Sequence, residues 1–199
     1  MELILQNVSK KYNNHFLFKD VSLNLKSNDS IAIIGQNGKG KTTFLKMLLG
    51  YSPVSSGKIF AIKNEIETAI SYSDVSYCGV AQQVFSELTV LELFDFHFAV
   101  RKSIDKDLKS LLTKVFPTAI LNKQCEKLSA GWLQRVKLLL ALNTDTSIVL
   151  LDEPFTNLDK QGIDLFSRFI REMTTDRILV IASNREDEIA LCKQRVELI

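Results

Sequence analysis

Long apolar runs, proline, cysteine pairs and any bias of charge are all scarce in this 199-residue chain. Apolar runs stay short, as in Leu138–Leu142, whereas a helix that crosses a bilayer needs roughly 18 to 20 such residues. Any membrane role must therefore pass through a partner. Three cysteines, Cys78, Cys125 and Cys192, stand far apart in no metal-ligand spacing, and an odd number cannot close a complete disulfide set, so reduced and mostly buried thiols are expected. The 25 basic and 23 acidic residues are spread without a block of like sign, for a net charge of +2. Composition thus carries no nucleic-acid signal, and no nucleic-acid partner is expected. Met1 to Lys10 reads as a strand and turn without the cationic segment and apolar core of a secretory leader, which predicts a cytoplasmic location. With three prolines and eight glycines, there is no proline-rich linker, low-complexity tract or internal repeat.

What is present is a globular balance, 46% hydrophobic and 24% charged, enough to bury a core and outside the regime of disordered chains. Leu3 to Val8 alternates loosely, and Ile31–Ile34 is a continuous apolar run, as expected of a strand covered on both faces. Thr43 to Leu49 carries Phe44, Leu45, Leu48 and Leu49 at helical spacing and stops at Gly50 and Pro53. Residues 86 to 130 read as a helical insertion, because Ile104, Leu108, Leu111, Leu112 and Val115 recur on one helical face. Alternation of helix and strand then resumes: a helix over Leu133–Leu142, a strand over Ile148–Leu151, a helix over Ile163–Met173, a strand over Ile178–Ala182 and a last strand over Arg195–Ile199.

Three of the eight glycines fall in one six-residue window. The segment Gly35-Gln36-Asn37-Gly38-Lys39-Gly40-Lys41-Thr42, followed by Thr43, fits G-x-x-x-x-G-K-[ST] between a buried strand and a helix. Glycines let backbone N–H groups turn inward around phosphate oxygens, and the helix start adds partial positive charge. Lys41 would reach the terminal phosphates of a nucleotide as a point charge, and the Thr42 hydroxyl would ligate a bridging magnesium. The segment Ile148 to Glu153 then places two carboxylates at the end of a buried strand, where parallel sheets bind ligands. Asp152 would hold magnesium, mostly through water. Glu153, alternating to the other side of the strand axis, would polarise the attacking water. The alternative, a plain strand-ending turn at Asp-Glu-Pro, weakens beside the phosphate loop.

Together with Leu128-Ser129-Ala130-Gly131 and Asn157-Leu158-Asp159, these motifs resemble the ABC ATPase family over nearly the whole chain. The resemblance implies an α/β P-loop NTPase fold with a mixed, mostly parallel core sheet, an antiparallel β edge and a small helical subdomain. It implies one domain over 1–199, with core 1–85 and 131–199 and helical insertion 86–130. It implies ATP and Mg2+ as ligands. It also implies a head-to-tail pair in which Ser129 and Gly131 of one copy cap the phosphate bound to the other, with Asp159 communicating between the sites. Ser129 is equally an ordinary helix N-cap. Tyr12 matches the aromatic that stacks on adenine, although a lone tyrosine is often core. A short length, Leu-Ser-Ala-Gly and the abbreviated Tyr77 to Thr89 segment resemble, within the family, the ATPase subunits of cytochrome c maturation haem exporters.

The chain departs from the family pattern at several positions. Ala130 and Trp132 stand where glycine and glutamine are usual. Asn184 occupies the place of a switch histidine, and its amide can donate a hydrogen bond but carries no imidazolium charge, which predicts slow turnover. Lys39 replaces a small residue and either adds charge near the dimer seam or is a solvated lysine. The glutamine linking magnesium to the membrane partner is assigned to Gln82, with Gln83 and Val80 as alternatives. These features lead to an ATPase that energises an integral membrane permease from the inner face of the cell membrane, as a homodimer or paired with a second ABC ATPase. Phe94, Phe96 and Phe98 belong to core or docking surface, with core preferred. A nucleotide-gated module with little hydrolysis, or a soluble ABC ATPase without a membrane partner, are the other readings.

Overall fold

The computed structural model describes residues 1–13, 15–79 and 82–198. The chain runs β1 (Glu2–Tyr12), β2 (His15–Lys26), β3 (Ser30–Ile34), α1 (Lys41–Leu48), β4 (Ser56–Lys63), β5 (Ile66–Thr68), β6 (Val75–Cys78), α2 (Val90–Val100), α3 (Leu108–Val115), α4 (Thr118–Leu121), α5 (Ala130–Asn143), β7 (Ile148–Asp152), α6 (Lys160–Met173), β8 (Ile178–Ala182), α7 (Glu186–Ile189) and β9 (Gln194–Glu197). It divides into two compact units: residues 1–77, 146–153 and 174–199, and residues 78–145 with 154–173.

The first unit holds two sheets. Strands β6-β7-β8-β3-β9 form one, in that order, and β2-β1-β4-β5 the other. Within the first sheet β3 pairs in parallel with β8 and β9, and β7 in parallel with β8. Every residue of β7 and β8 is buried, which is why these strands read as unbroken apolar runs rather than alternating ones. The second sheet is antiparallel, β1 lying between β2 and β4 with register shifts along both pairings. Leu3, Leu5 and Val8 of β1, Phe18 of β2 and Phe44, Leu45 and Leu48 of α1 share a core with Ile31, Ile33, Leu150 and Val180. Phe18 meets Phe44 edge to face at 5.7 Å.

The second unit is helical. Thr89 and Glu92 close a reciprocal capping box at the start of α2, satisfying two amide donors that a helix start leaves open. Asp107 caps α3 by accepting from Ser110 N at 3.1 Å. Phe94 of α2 and Phe116 after α3, both almost wholly buried, pack at 6.1 Å. In α6, Gly162, Phe166 and Ile170 form the buried stripe, at the four-residue spacing of one helical face.

Two readings of the sequence change here. Ile104 lies outside α3 and is 41% exposed. Asp105 accepts from Asp107 N at 2.8 Å and so turns the chain just before the cap, which starts the helix four residues later than the apolar spacing implies. Of the three phenylalanines in α2, Phe94 is core but Phe96 is half exposed and meets Phe85 edge to face at 5.1 Å.

Candidate nucleotide site

The phosphate loop leaves β3 and feeds α1. Gly40, the N-cap residue of α1, has φ 93, a left-handed conformation that only glycine adopts at no steric cost. A side chain there would also meet Leu17 at 3.1 Å. No side chain caps α1 and no acid lies in its first turn, so the backbone donors of that turn have no competing side-chain anion. Lys41, only 7% exposed, donates from Nζ to Gly35 O at 2.7 Å and to Asn37 Oδ1 at 3.5 Å. Asn184, two residues beyond β8, joins the same group: its Nδ2 donates to Asn37 Oδ1 at 3.1 Å, and its Oδ1 accepts from Gly35 N at 3.4 Å.

Asp152 closes β7 and is only 5% exposed. Burial pushes its carboxyl above the usual carboxylate range, opposed by a hydrogen bond from Thr42, reinforced by the nearby Glu153 charge and opposed again by Lys41. Tyr77 OH donates to Asp152 Oδ2 at 3.5 Å. Glu153 does not continue the strand. It has φ 49, and its N–H donates to Ala182 O at 2.9 Å, so strand alternation is not what orients its side chain. Gly35, Asn37, Lys41, Thr42, Asp152 and Asn184 are thereby brought into one network, with Thr43 half-buried in the first turn of α1 and Gly38 and Lys39 exposed on the loop. Tyr12, near the β1–β2 connection, is 52% exposed rather than core, with Lys10 Nζ 4.8 Å from its ring centre.

The remaining residues lie in the second unit. Gln82 is bonded to Gly79: its Oε1 accepts from Gly79 N at 3.4 Å and its backbone N–H donates to Gly79 O at 3.1 Å. Gln83 is exposed, and the alternative at Val80 lies outside the described residues. Ser129, exposed, caps α5 by accepting from Trp132 N at 3.4 Å. Gly131 leaves no room for a side chain, since a Cβ there would lie 2.7 Å from Asn157 O. Asp159 Oδ1 accepts from Gly162 N at 2.7 Å and from Arg135 Nη2 at 2.6 Å. The Gly162 hydrogen bond, partly offset by desolvation and helped by the Arg135 charge, holds its carboxyl below the usual range.

Sequence reasoning missed Tyr77, Gln134 and Arg135. Gln134, buried, donates to Pro154 O at 2.8 Å. Each of the three meets a partner 20 or more residues away, a pairing that no local spacing announces.

A parallel sheet with a glycine-turned loop at the end of β3 and a buried acid at the end of β7, with β8 between them, defines a P-loop nucleotide-binding protein. A family model described as ABC transporter matches residues 18–156, and the chain belongs to that family. It is 32% identical over 162 residues to the spermidine/putrescine import ATP-binding protein PotA of Spiroplasma citri, covering 79% of this chain and 46% of that one. It is 30% identical over 207 residues to the sulfate/thiosulfate import ATP-binding protein CysA of Mesorhizobium japonicum, covering 98% and 60%. The cytochrome c biogenesis ATP-binding export protein CcmA of Shewanella oneidensis is 31% identical over 173 residues, covering 85% and 80%. The chain thus spans about half the length of the import proteins and four-fifths of the export protein. Among solved structures, a putative ABC transporter ATP-binding protein from Pyrococcus furiosus superposes with a TM-score of 0.83 at 22% identity, covering 100% and 98% of the two chains. A dimeric ATP-binding cassette in a post-hydrolysis state with ADP and Pi superposes with a TM-score of 0.81 at 21% identity, covering 98% and 94%.

Proposed function

We propose that the protein binds MgATP and hydrolyses it to energise transport through a separate membrane-spanning partner. The observation that carries this reading is the network joining Lys41, Asn37 and Asn184 at the phosphate loop, beside the Thr42–Asp152 pair. Backbone N–H groups of residues 38–43 would receive the β- and γ-phosphates, and Lys41 would exchange Gly35 O for phosphate oxygen. Tyr12 presents an exposed ring for adenine. The Thr42 hydroxyl and Asp152 carboxylate are hard oxygen donors that suit Mg2+, and a cation there would offset the burial that raises Asp152. Thr42, Asp152 and, in this reading, Gln82 would hold magnesium, which would supply neutralisation of phosphate charge.

Glu153 would accept the proton of the attacking water. Asn184 would donate to the γ-phosphate where the family carries histidine, making turnover slow but measurable. Ser129 and Gly131 would cap the phosphate bound to a second copy, with Asp159 at the same seam. Among the described residues no helix is long and apolar enough to cross a membrane, and the exposed Phe85–Phe96 pair offers the permease an apolar docking surface. Location at the inner membrane face follows from this reading, as does a homodimer or a pair with a second ATPase.

Phosphate release from MgATP, measured per subunit across protein concentration, tests the proposal. Turnover should rise with concentration as dimers form, and Glu153→Gln should lower it about 100- to 10,000-fold. Absence of turnover in a chain that still binds ATP would replace hydrolysis with nucleotide-gated dimerisation.

A further inference from the structure

The strongest feature left over is Trp132, a large aromatic in the first turn of α5 beside Ser129. Trp132 is half-buried, and its ring is engaged within its own unit. It packs against Phe116 at 6.1 Å with the planes tilted by 44°. The Arg135 guanidinium lies over it, 4.6 Å from the ring centre. Arg135, one helical turn further on, keeps its side chain at 12% exposure and delivers Nη2 to Asp159 Oδ1 at 2.6 Å.

Each contact constrains the next. Phe116 is 1% exposed and held by Phe94, so it is a fixed wall for the indole. A guanidinium stacked on an indole loses freedom to swing into solvent, which leaves its planar fork aimed at one acceptor. That acceptor, Asp159, also caps α6 through Gly162 N. The turn carrying Ser129 and the segment ending at Asp159 are further joined by the Gly131–Asn157 approach and the Gln134–Pro154 hydrogen bond.

We propose that Trp132 is a positioning residue for hydrolysis: its ring holds Arg135 against Asp159 and so presents the Ser129 turn and Asp159 to the phosphate of a second copy as one preset surface. The inference rests on the proposed dimeric ATPase. It assigns to an aromatic ring, at a position where glutamine is usual, the task of ordering the phosphate-capping turn, and it makes the ring rather than a side-chain amide the required feature.

The test compares wild type, Trp132→Gln and Trp132→Phe by kcat, KM, equilibrium ADP binding and ATP-driven dimerisation in a Glu153→Gln background. Trp132→Gln should lower kcat about tenfold, or ~1.4 kcal/mol of barrier. It should weaken dimerisation by a similar factor and leave ADP affinity within about twofold, since in the proposed site ADP meets Tyr12 and the phosphate loop of its own copy and not the Ser129 turn. Trp132→Phe, which keeps a ring for Arg135, should recover at least about half the wild-type rate. The inference is overturned by wild-type kcat in Trp132→Gln, by equal losses in both variants, or by a matching loss of ADP affinity. If the wild type releases no phosphate, hydrolysis itself fails and dimerisation decides. A Trp132→Gln chain that dimerises like wild type, or a wild type that never dimerises, then overturns the role of Trp132.

Discussion

Asp152 carries a cost that its proposed task explains. Its carboxyl is raised chiefly by burial, so the native state holds its proton more tightly than the unfolded chain does. The stability linked to this group is therefore fully present below the unfolded carboxyl range and is lost as pH rises through the folded value. When ionised, Asp152 is a buried negative charge whose desolvation outweighs the help it receives from Thr42 and Lys41. Asp152→Asn, neutral and of the same shape, should raise the melting temperature of the nucleotide-free protein at pH 7, with the gain shrinking toward pH 4. Phosphate release should fall at least about 100-fold, as expected from losing a group worth several kcal/mol of transition-state charge stabilisation. A melting temperature that falls at pH 7 would mean that the hydrogen bonds from Thr42 and Tyr77 outweigh the desolvation.

The glycine at the start of α5 sets two effects of opposite sign against each other. Alanine in place of glycine ordinarily favours a helix by about 0.5 to 1 kcal/mol. At Gly131 a Cβ would lie 2.7 Å from the Asn157 carbonyl oxygen, closer than such atoms approach, and the obstacle is backbone that cannot rotate away. Overpacking of this kind typically costs about 1 to 3 kcal/mol, so it wins. Gly131→Ala should shift the urea midpoint downward, and an upward shift would show that the loop yields. The same contrast explains what was legible in the sequence. The strands at Ile31–Ile34, Ile148–Leu151 and Ile178–Ala182, and the loop at Gly35–Thr42, declare themselves because burial on both faces demands apolar runs and a tight anion-binding turn demands glycine. β2 and β4, with exposed and buried residues mixed, left no such mark. Strand alternation would set the direction of the Glu153 side chain, but its positive φ breaks that alternation. Asn184 meeting Asn37 across 147 residues, and Arg135 meeting Asp159 across 24, are products of topology.

At the scale of the whole molecule, the proposed residues divide between the two units: the phosphate loop, Asp152, Glu153 and Asn184 in the first, Ser129, Gly131 and Asp159 in the second. In the proposed head-to-tail pair, one nucleotide joins the first unit of one copy to the second unit of the other. A ligand that lacks the γ-phosphate should engage only the first of these. Hydrogen exchange separates the two cases, because a ligand at about 100 times its dissociation constant stabilises what it binds by ~2.7 kcal/mol, or about 100-fold in opening. ADP should therefore slow exchange in residues 35–44 and leave 129–133 unchanged at any protein concentration. ATP with Glu153→Gln should slow both segments, the second only where sedimentation shows dimers. Protection of 129–133 by ADP in the monomer would place that turn at its own nucleotide, and the two-copy arrangement would have to be abandoned. Protection that appears only with ATP and only in the dimer would make the second unit a sensor of the partner's γ-phosphate, the property by which nucleotide state can become motion.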